Sequence, residues 1–173
     1  QRPGYPATGS TKRPKNKGVS AEDGPERDHI FTHYFVGANR MVPGLFKDPV
    51  KSQMADERLQ HAASLSIETA KIPAGRLQIV VTNTGAGHKL PTGLTDIRQM
   101  WLEIEIIDNT RKKVVYVSGK LDENRYLPDD ALIYQTVFGD GKGNRVDNIA
   151  KAREILSDKR IEPLQSMTEE IPL

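Results

Sequence analysis

Cysteine is missing from all 173 residues, which excludes disulfides, zinc–thiolate centres and thiol nucleophiles but leaves the compartment open, since exported proteins also fold without disulfides. Aromatic residues are scarce, 6% of the chain with a single Trp. No apolar run is long enough to cross a bilayer, and no charged-then-apolar leader opens the sequence. The formal net charge of +2 is too small to argue for nucleic acid, and no RNA- or DNA-binding fingerprint accompanies it. The GxSxG elbow, HExxH helix, phosphate loop and paired-carboxylate motifs are likewise missing, which weakens an enzymatic reading.

What is present suits one core with tails, since 36% of residues are hydrophobic and 28% charged. Gln1 in place of Met points to a processed or partial chain. Residues 1–27 read as an extended arm, because Pro3, Pro6 and Pro14 with Gly4, Gly9 and Gly18 forbid regular structure. Its cations Arg2, Lys12, Arg13, Lys15 and Lys17 precede its acids Glu22, Asp23 and Glu26. That arm is either a solvated tail or a strip ordered on a partner.

Residues 28–64 form a second segment. It begins with two imidazoles and three aromatics in His29-Ile30-Phe31-Thr32-His33-Tyr34-Phe35, a concentration unusual for so aromatic-poor a chain. Such a stretch is either a hydrophobic plug with hydrogen-bonded histidines or a seam against a flat ligand, with Tyr34 and Phe35 as its wall. Met41-Val42-Pro43-Gly44 reads as a turn, and Asp48-Pro49 supplies an N-cap and first-turn proline for a helix to about Ala63. Val50, Met54 and His61 fall on one side of it.

From residue 65 the hydrophobic period becomes two. Leu65/Ile67/Thr69, Leu77/Ile79/Val81, Leu102/Ile104/Ile106 and Leu132/Tyr134/Thr136/Phe138 each set alternate residues on one face, and Val114-Val115-Tyr116-Val117 adds a strand. Asp108-Asn109-Thr110 and Asp140-Gly141-Lys142-Gly143-Asn144 are turn material, favoured over calcium ligation because a Lys sits in the second of them. Trp101 is expected to anchor the sheets. Asp147 is expected to cap a short helix through Ile155-Leu156, and Ile161 to Leu173 reads as broken strand that ends abruptly. The fold expected for 65–173 is an immunoglobulin-like antiparallel β-sandwich, making the chain mainly β with one or two short helices.

Chemistry concentrates in Asn83-Thr84-Gly85-Ala86-Gly87-His88-Lys89-Leu90-Pro91-Thr92-Gly93, where a strand runs into a loop that carries one His between glycines. Gly85 and Gly87 permit positive φ and close approach of a bulky partner, and Pro91 stiffens the loop beyond His88. By itself the pattern fits both a strand-ending turn and an imidazole presented to a ligand.

This run, followed by Arg98-Gln99-Met100-Trp101-Leu102, resembles the C-terminal β-domain of periplasmic or extracellular multihaem c-type cytochromes, whose GHxxPTG loop lies beside haem. His33 with Phe35, Gly37 and Asn39 is similar to the HxFxGxN segment of that family, and the likeness extends from about Asp28 to Ile161. The resemblance implies an electron-transfer component, not itself an enzyme, though the parent assembly can be an oxidoreductase. It also implies haem-iron ligation by His88, His33 and His29 in that order, with Gly87, Pro91, Tyr34 and Phe35 lining the haem. Because CxxCH attachment needs thiols that the chain lacks, the haem c would be held by another segment or chain, a haem-bearing cytochrome polypeptide within a larger complex or filament. Two other readings stand beside it: a haem-free β-sandwich interaction or adhesion module of a surface assembly, and an enzyme in which His29, His33 and His88 converge on a non-haem metal.

Overall fold

The computed structural model describes residues 17–19, 22–28, 39–70, 72–94 and 98–173. Two compact units divide the chain, Gln1–Ala63 and Ser64–Leu173.

In the first unit, strands β1 (Gly18–Val19) and β2 (Glu26–Arg27) pair antiparallel, with Lys17 and Glu26 joined 2.9 Å apart. Where the sequence suggests only a turn, helix α1 (Met41–Leu45) forms. Pro43 is tolerated there because the N–H groups of a first helical turn have no intrahelical acceptor in any case. Helix α2 (Pro49–Gln60) starts as expected: the Asp48 carboxylate accepts from the Lys51 N–H at 2.9 Å, and Pro49 sets the first helical φ. It ends at Gln60, short of Ala63, with His61 as its C-cap. The buried face is Met54 and Ala55, whereas Val50 is 60% exposed, so the expected Val50/Met54/His61 stripe is corrected. Arg40 meets Asp56 at 2.7 Å and ties the start of α1 to α2.

The second unit is β-rich and built from antiparallel sheets, a β-sandwich-like fold with few helices. Its strands are β3 (Ser64–Glu68), β4 (Arg76–Thr82), β5 (Met100–Trp101), β6 (Ile104–Asp108), β7 (Lys113–Ser118), β8 (Ile133–Tyr134), β9 (Thr136–Gly139), β10 (Arg145–Val146), β11 (Glu154–Asp158) and β12 (Ser166–Pro172). Strand β4 is central, with β3 and β12 on either side; β9 lies between β10 and β11; β5 pairs with β8 and β6 with β7. All seven residues of β4 are paired with β12, from Arg76 opposite Pro172 to Thr82 opposite Ser166.

Alternation along β4 buries Ile79 and Val81, each 4% exposed. Ile104, Tyr134 and Ile171 bring β6, β8 and β12 to the same apolar interior, and Leu90, Leu102 and Ile161 join it from connecting segments. Two expectations fail here. Leu65 and Ile67 lie opposite Val81 and Ile79 but are 59% and 60% exposed, because β3 is an edge strand beyond the covered part of the sheet. The helix expected from Asp147 to Leu156 is a single 3₁₀ turn, Ile149–Lys151, capped by the side chain of Asn148. Ile155 and Leu156 belong to β11, which pairs with β9 through an irregularity between Ile155 and Ser157.

Trp101 is half-buried, and its indole N–H donates to the Gly119 carbonyl at 3.0 Å. Gly119 has φ of +70°, and a Cβ placed there would collide with the Leu102 carbonyl oxygen and press on Trp101. The Tyr134 hydroxyl is buried without a hydrogen-bond partner of good geometry among the described residues. Burial first, and the Glu169 carboxylate second, push its pKa up and keep the phenol protonated.

Gly119→Ala is expected to cost roughly 2–5 kcal/mol, a left-handed backbone penalty plus overpacking. Gly143→Ala, with φ of +86° and nothing within 4 Å, should cost only about 1–2 kcal/mol. Urea midpoints of the two variants measure the difference, and equal shifts would refute the close packing at Gly119.

Candidate functional site

The loop that leaves β4 is closed by the chain's later turns. Leu90 and Ile161 form an antiparallel bridge, with Leu90 N–H donating to the Ile161 carbonyl at 2.9 Å and Ile161 N–H returning to Leu90 at 2.7 Å. Both side chains are buried, as is Pro91. At the loop's base, Asn83 is fully buried and both ends of its amide are bonded: Nδ2 donates to the carbonyls of His88 (2.8 Å) and Ile161 (3.1 Å), and Oδ1 accepts from Ala86 N–H (3.1 Å). Its backbone N–H donates to Gln165 and its carbonyl accepts from Leu164, at 3.0 and 2.9 Å. A buried amide bonded at both ends holds its surroundings rigidly, because each bond broken leaves a group that water cannot reach.

His88 projects from this frame into solvent. Its Nδ1 lies 3.0 Å from the Lys89 carbonyl. A carbonyl only accepts, so Nδ1 carries the hydrogen, and in the neutral ring the lone pair belongs to Nε2. The ring is thereby set as in many metal-binding histidines, one nitrogen held by a backbone carbonyl and the other directed away.

Lys89 turns back from the same loop. Its ammonium lies 2.8 Å from Glu162 and 3.2 Å from Asp158. These carboxylates, Glu162 before Asp158, raise the Lys89 pKa. Asp158 in turn accepts two bonds of 2.7 Å from the Arg160 guanidinium and one of 3.4 Å from the Thr136 hydroxyl. Arg160 is the main cause that holds the Asp158 carboxyl well below the usual carboxylate range, with Lys89 contributing. The cation beside His88 is therefore neutralised by its own chain.

The sequence-derived site is brought together only in part. Gly87, His88 and Pro91 share one loop, while His29, His33, Tyr34 and Phe35 lie outside the described residues. The positive φ expected at Gly85 and Gly87 is found instead at Gly93, at +89°, with the Arg98 guanidinium 3.8 Å from where a Cβ would stand. At Gly87 a Cβ would meet nothing within 4 Å, so the space above that residue is open. His61 bonds through Nδ1 to the Glu57 carbonyl at the end of α2.

The Asp140 loop is a hairpin turn between β9 and β10, its carboxylate taken up by the N–H groups of Lys142 and Asn144 and by the Asn144 amide. Asp122 likewise accepts from the backbones of Asn124 and Tyr126. Among the described residues no three His, Cys, Asp or Glu side chains are grouped to hold a metal ion. Reading along the chain misses the Lys89–Asp158–Glu162 strap, because Lys89 lies about seventy residues from the two carboxylates and only opposite charge relates them.

The depressed Asp158 pKa makes the strap's contribution depend on pH. It is fully present above the ordinary aspartate pKa of about 3.9 and drains away as pH falls below that value. Asp158→Asn is expected to cost about 1–2 kcal/mol near neutrality, allowing for partial exposure, and to flatten the acid limb of the stability profile. Thermal melts at pH 7 and pH 3 measure both; an unchanged acid limb in the variant would discount the strap.

The chain matches no protein-family model, no curated protein and no solved structure.

Proposed function

We propose that this chain is a haem-less component of an electron-transfer assembly, donating the His88 imidazole as an axial ligand to a haem c held by an adjoining multihaem cytochrome polypeptide. The observation that carries the reading is the exposed His88 on an anchored loop, its Nδ1 engaged and its Nε2 without a hydrogen-bond partner among the described residues. Burial and multiple hydrogen bonds hold the backbone around the ring while His88 itself is exposed, an arrangement that suits a group meant for a partner. A single imidazole fits a metal whose remaining ligands come from elsewhere.

When bound, such a haem supplies one-electron transfer at a potential set by its axial ligands, their hydrogen bonds and the local burial. The chain's own residues account for the rest. The bond from Nδ1–H to the Lys89 carbonyl fixes the ring plane and leaves Nε2 as the nitrogen that would ligate. The open space above Gly87 admits a flat group close to the backbone, and Leu90 and Pro91, farther along the loop, are buried. Pairing of Lys89 with Glu162 and Asp158 leaves no bare cation next to the iron ligand. His33 and His29, with Tyr34 and Phe35, belong to the same proposal as further ligands and wall. A periplasmic or extracellular location and membership of a larger complex or filament follow from the reading. Among the described residues no helix is long and apolar enough to cross a membrane.

A second reading, a haem-free interaction module, is favoured by β3, an edge strand with Leu65 and Ile67 uncovered and no Lys, Pro or bulge to blunt it. A peptide carrying one CxxCH-linked haem with an open axial position separates the two. The unaltered chain is expected to convert that iron to the six-coordinate low-spin spectrum, and His88→Ala to abolish the conversion. Equal conversion in His88→Ala overturns the assignment, and no conversion by the unaltered chain favours the interaction module. Gly87→Ala should leave the melting temperature unchanged or slightly raised, by about 0.4–1 kcal/mol in stability, yet weaken peptide binding by filling the open space.

A further inference from the structure

We infer that Asn83 is a positioning residue for the His88 imidazole, setting the ring's direction before any partner arrives; the inference rests on the ligand role proposed for His88. Two peptide planes flank Lys89. The first contains the His88 carbonyl, which accepts from Asn83 Nδ2 at 2.8 Å. The second contains the Lys89 carbonyl and the Leu90 N–H, and that N–H donates to the Ile161 carbonyl at 2.9 Å. The same Ile161 carbonyl accepts the other Nδ2 hydrogen of Asn83, at 3.1 Å. One buried amide therefore reaches both planes, directly at His88 and through Ile161 at Leu90.

The imidazole depends on both planes. The first fixes the direction of the His88 side chain from its backbone, and the second carries the Lys89 oxygen that receives Nδ1–H. Oδ1 of Asn83 meanwhile holds Ala86 N–H at 3.1 Å, bracing the approach to His88 from the other side. An Asn is required by this geometry. Asp has the shape but would turn a carboxylate oxygen toward two carbonyls, and Ser is too short to span from β4 to both acceptors. The cost of burying the amide is offset because all of its groups are bonded, so the strand's stability is transmitted to the ring.

Asn83→Asp and Asn83→Ser test the inference with two readouts. In the haem-free chain, ¹⁵N spectra of the His88 ring are expected to change from a single tautomer, protonated at Nδ1, to an averaged mixture. Affinity for the CxxCH haem peptide is expected to fall about 10- to 100-fold, the range found when a ligand's hydrogen-bonded support is removed. A folded Asn83 variant with the original tautomer and affinity overturns the inference.

If both substitutions prevent folding, Ala86→Pro keeps Asn83 and removes the N–H that Oδ1 accepts, while also fixing φ at residue 86. It should produce the same two changes to a smaller degree, and an unaltered ring there overturns the inference as well. His88→Ala keeps the two ideas apart. Loss of peptide binding in His88→Ala together with full binding in the Asn83 variants removes the positioning role alone. Failure of the unaltered chain to bind through His88 removes the ligand role, and the tautomer measurement still decides whether Asn83 sets the ring.

Discussion

Strand β4 is the constraint from which the β-rich unit grows. It is paired on both edges, along its whole length with β12 and over five residues with β3, and its alternation places Ile79 and Val81 in the interior. A strand so held cannot slip by one residue without turning that apolar pair to solvent and its polar neighbours inward. The position of Asn83, one residue past the strand's end, is therefore decided by the sheet. Two of the loop's anchors, at the His88 carbonyl and the Ala86 N–H, depend on where that side chain is delivered.

At the loop the usual division of inside and outside is reversed. A polar amide is fully buried and an aromatic imidazole stands in solvent. The buried amide is tolerable because its hydrogen bonds replace those lost to water, and removing any partner would strand a polar atom in an apolar interior. Charge follows the same logic. Lys89, Asp158, Arg160 and Glu162 alternate in sign around the loop's outer side, so each cation faces a carboxylate and the group beside His88 is balanced by its own chain.

Local signals were readable where chemistry and short-range geometry coincide. Asp48-Pro49 marks the start of α2, since a carboxylate cap and a proline at the first helical position act within one turn. The Asp140 hairpin and the alternation of β4 were legible for similar reasons, as were the Gly-rich loop and its histidine. Signals failed where distant partners decide. Leu65 and Ile67 have the alternation of a covered strand, yet β3 lies at the sheet's edge. Glu154–Asp158 was drawn into a ladder with β9 although its approach resembles a helix start. The positive φ fell at Gly93 and not at Gly87, and the Arg98 guanidinium lies beside it.

The amino-acid sequence alone determined the class of fold and the presence of a lone histidine among glycines at the end of a strand. It also ruled out thiol chemistry, since a missing cysteine needs no structure to interpret. Only the tertiary structure decided that the histidine's backbone is locked by Asn83 and Ile161, and that Lys89 is claimed by carboxylates near the chain's other end. The physical reason is range: strand period, caps and turns act over a few residues, whereas hydrogen bonds and ion pairs that close a loop join groups whose separation along the chain carries no local mark.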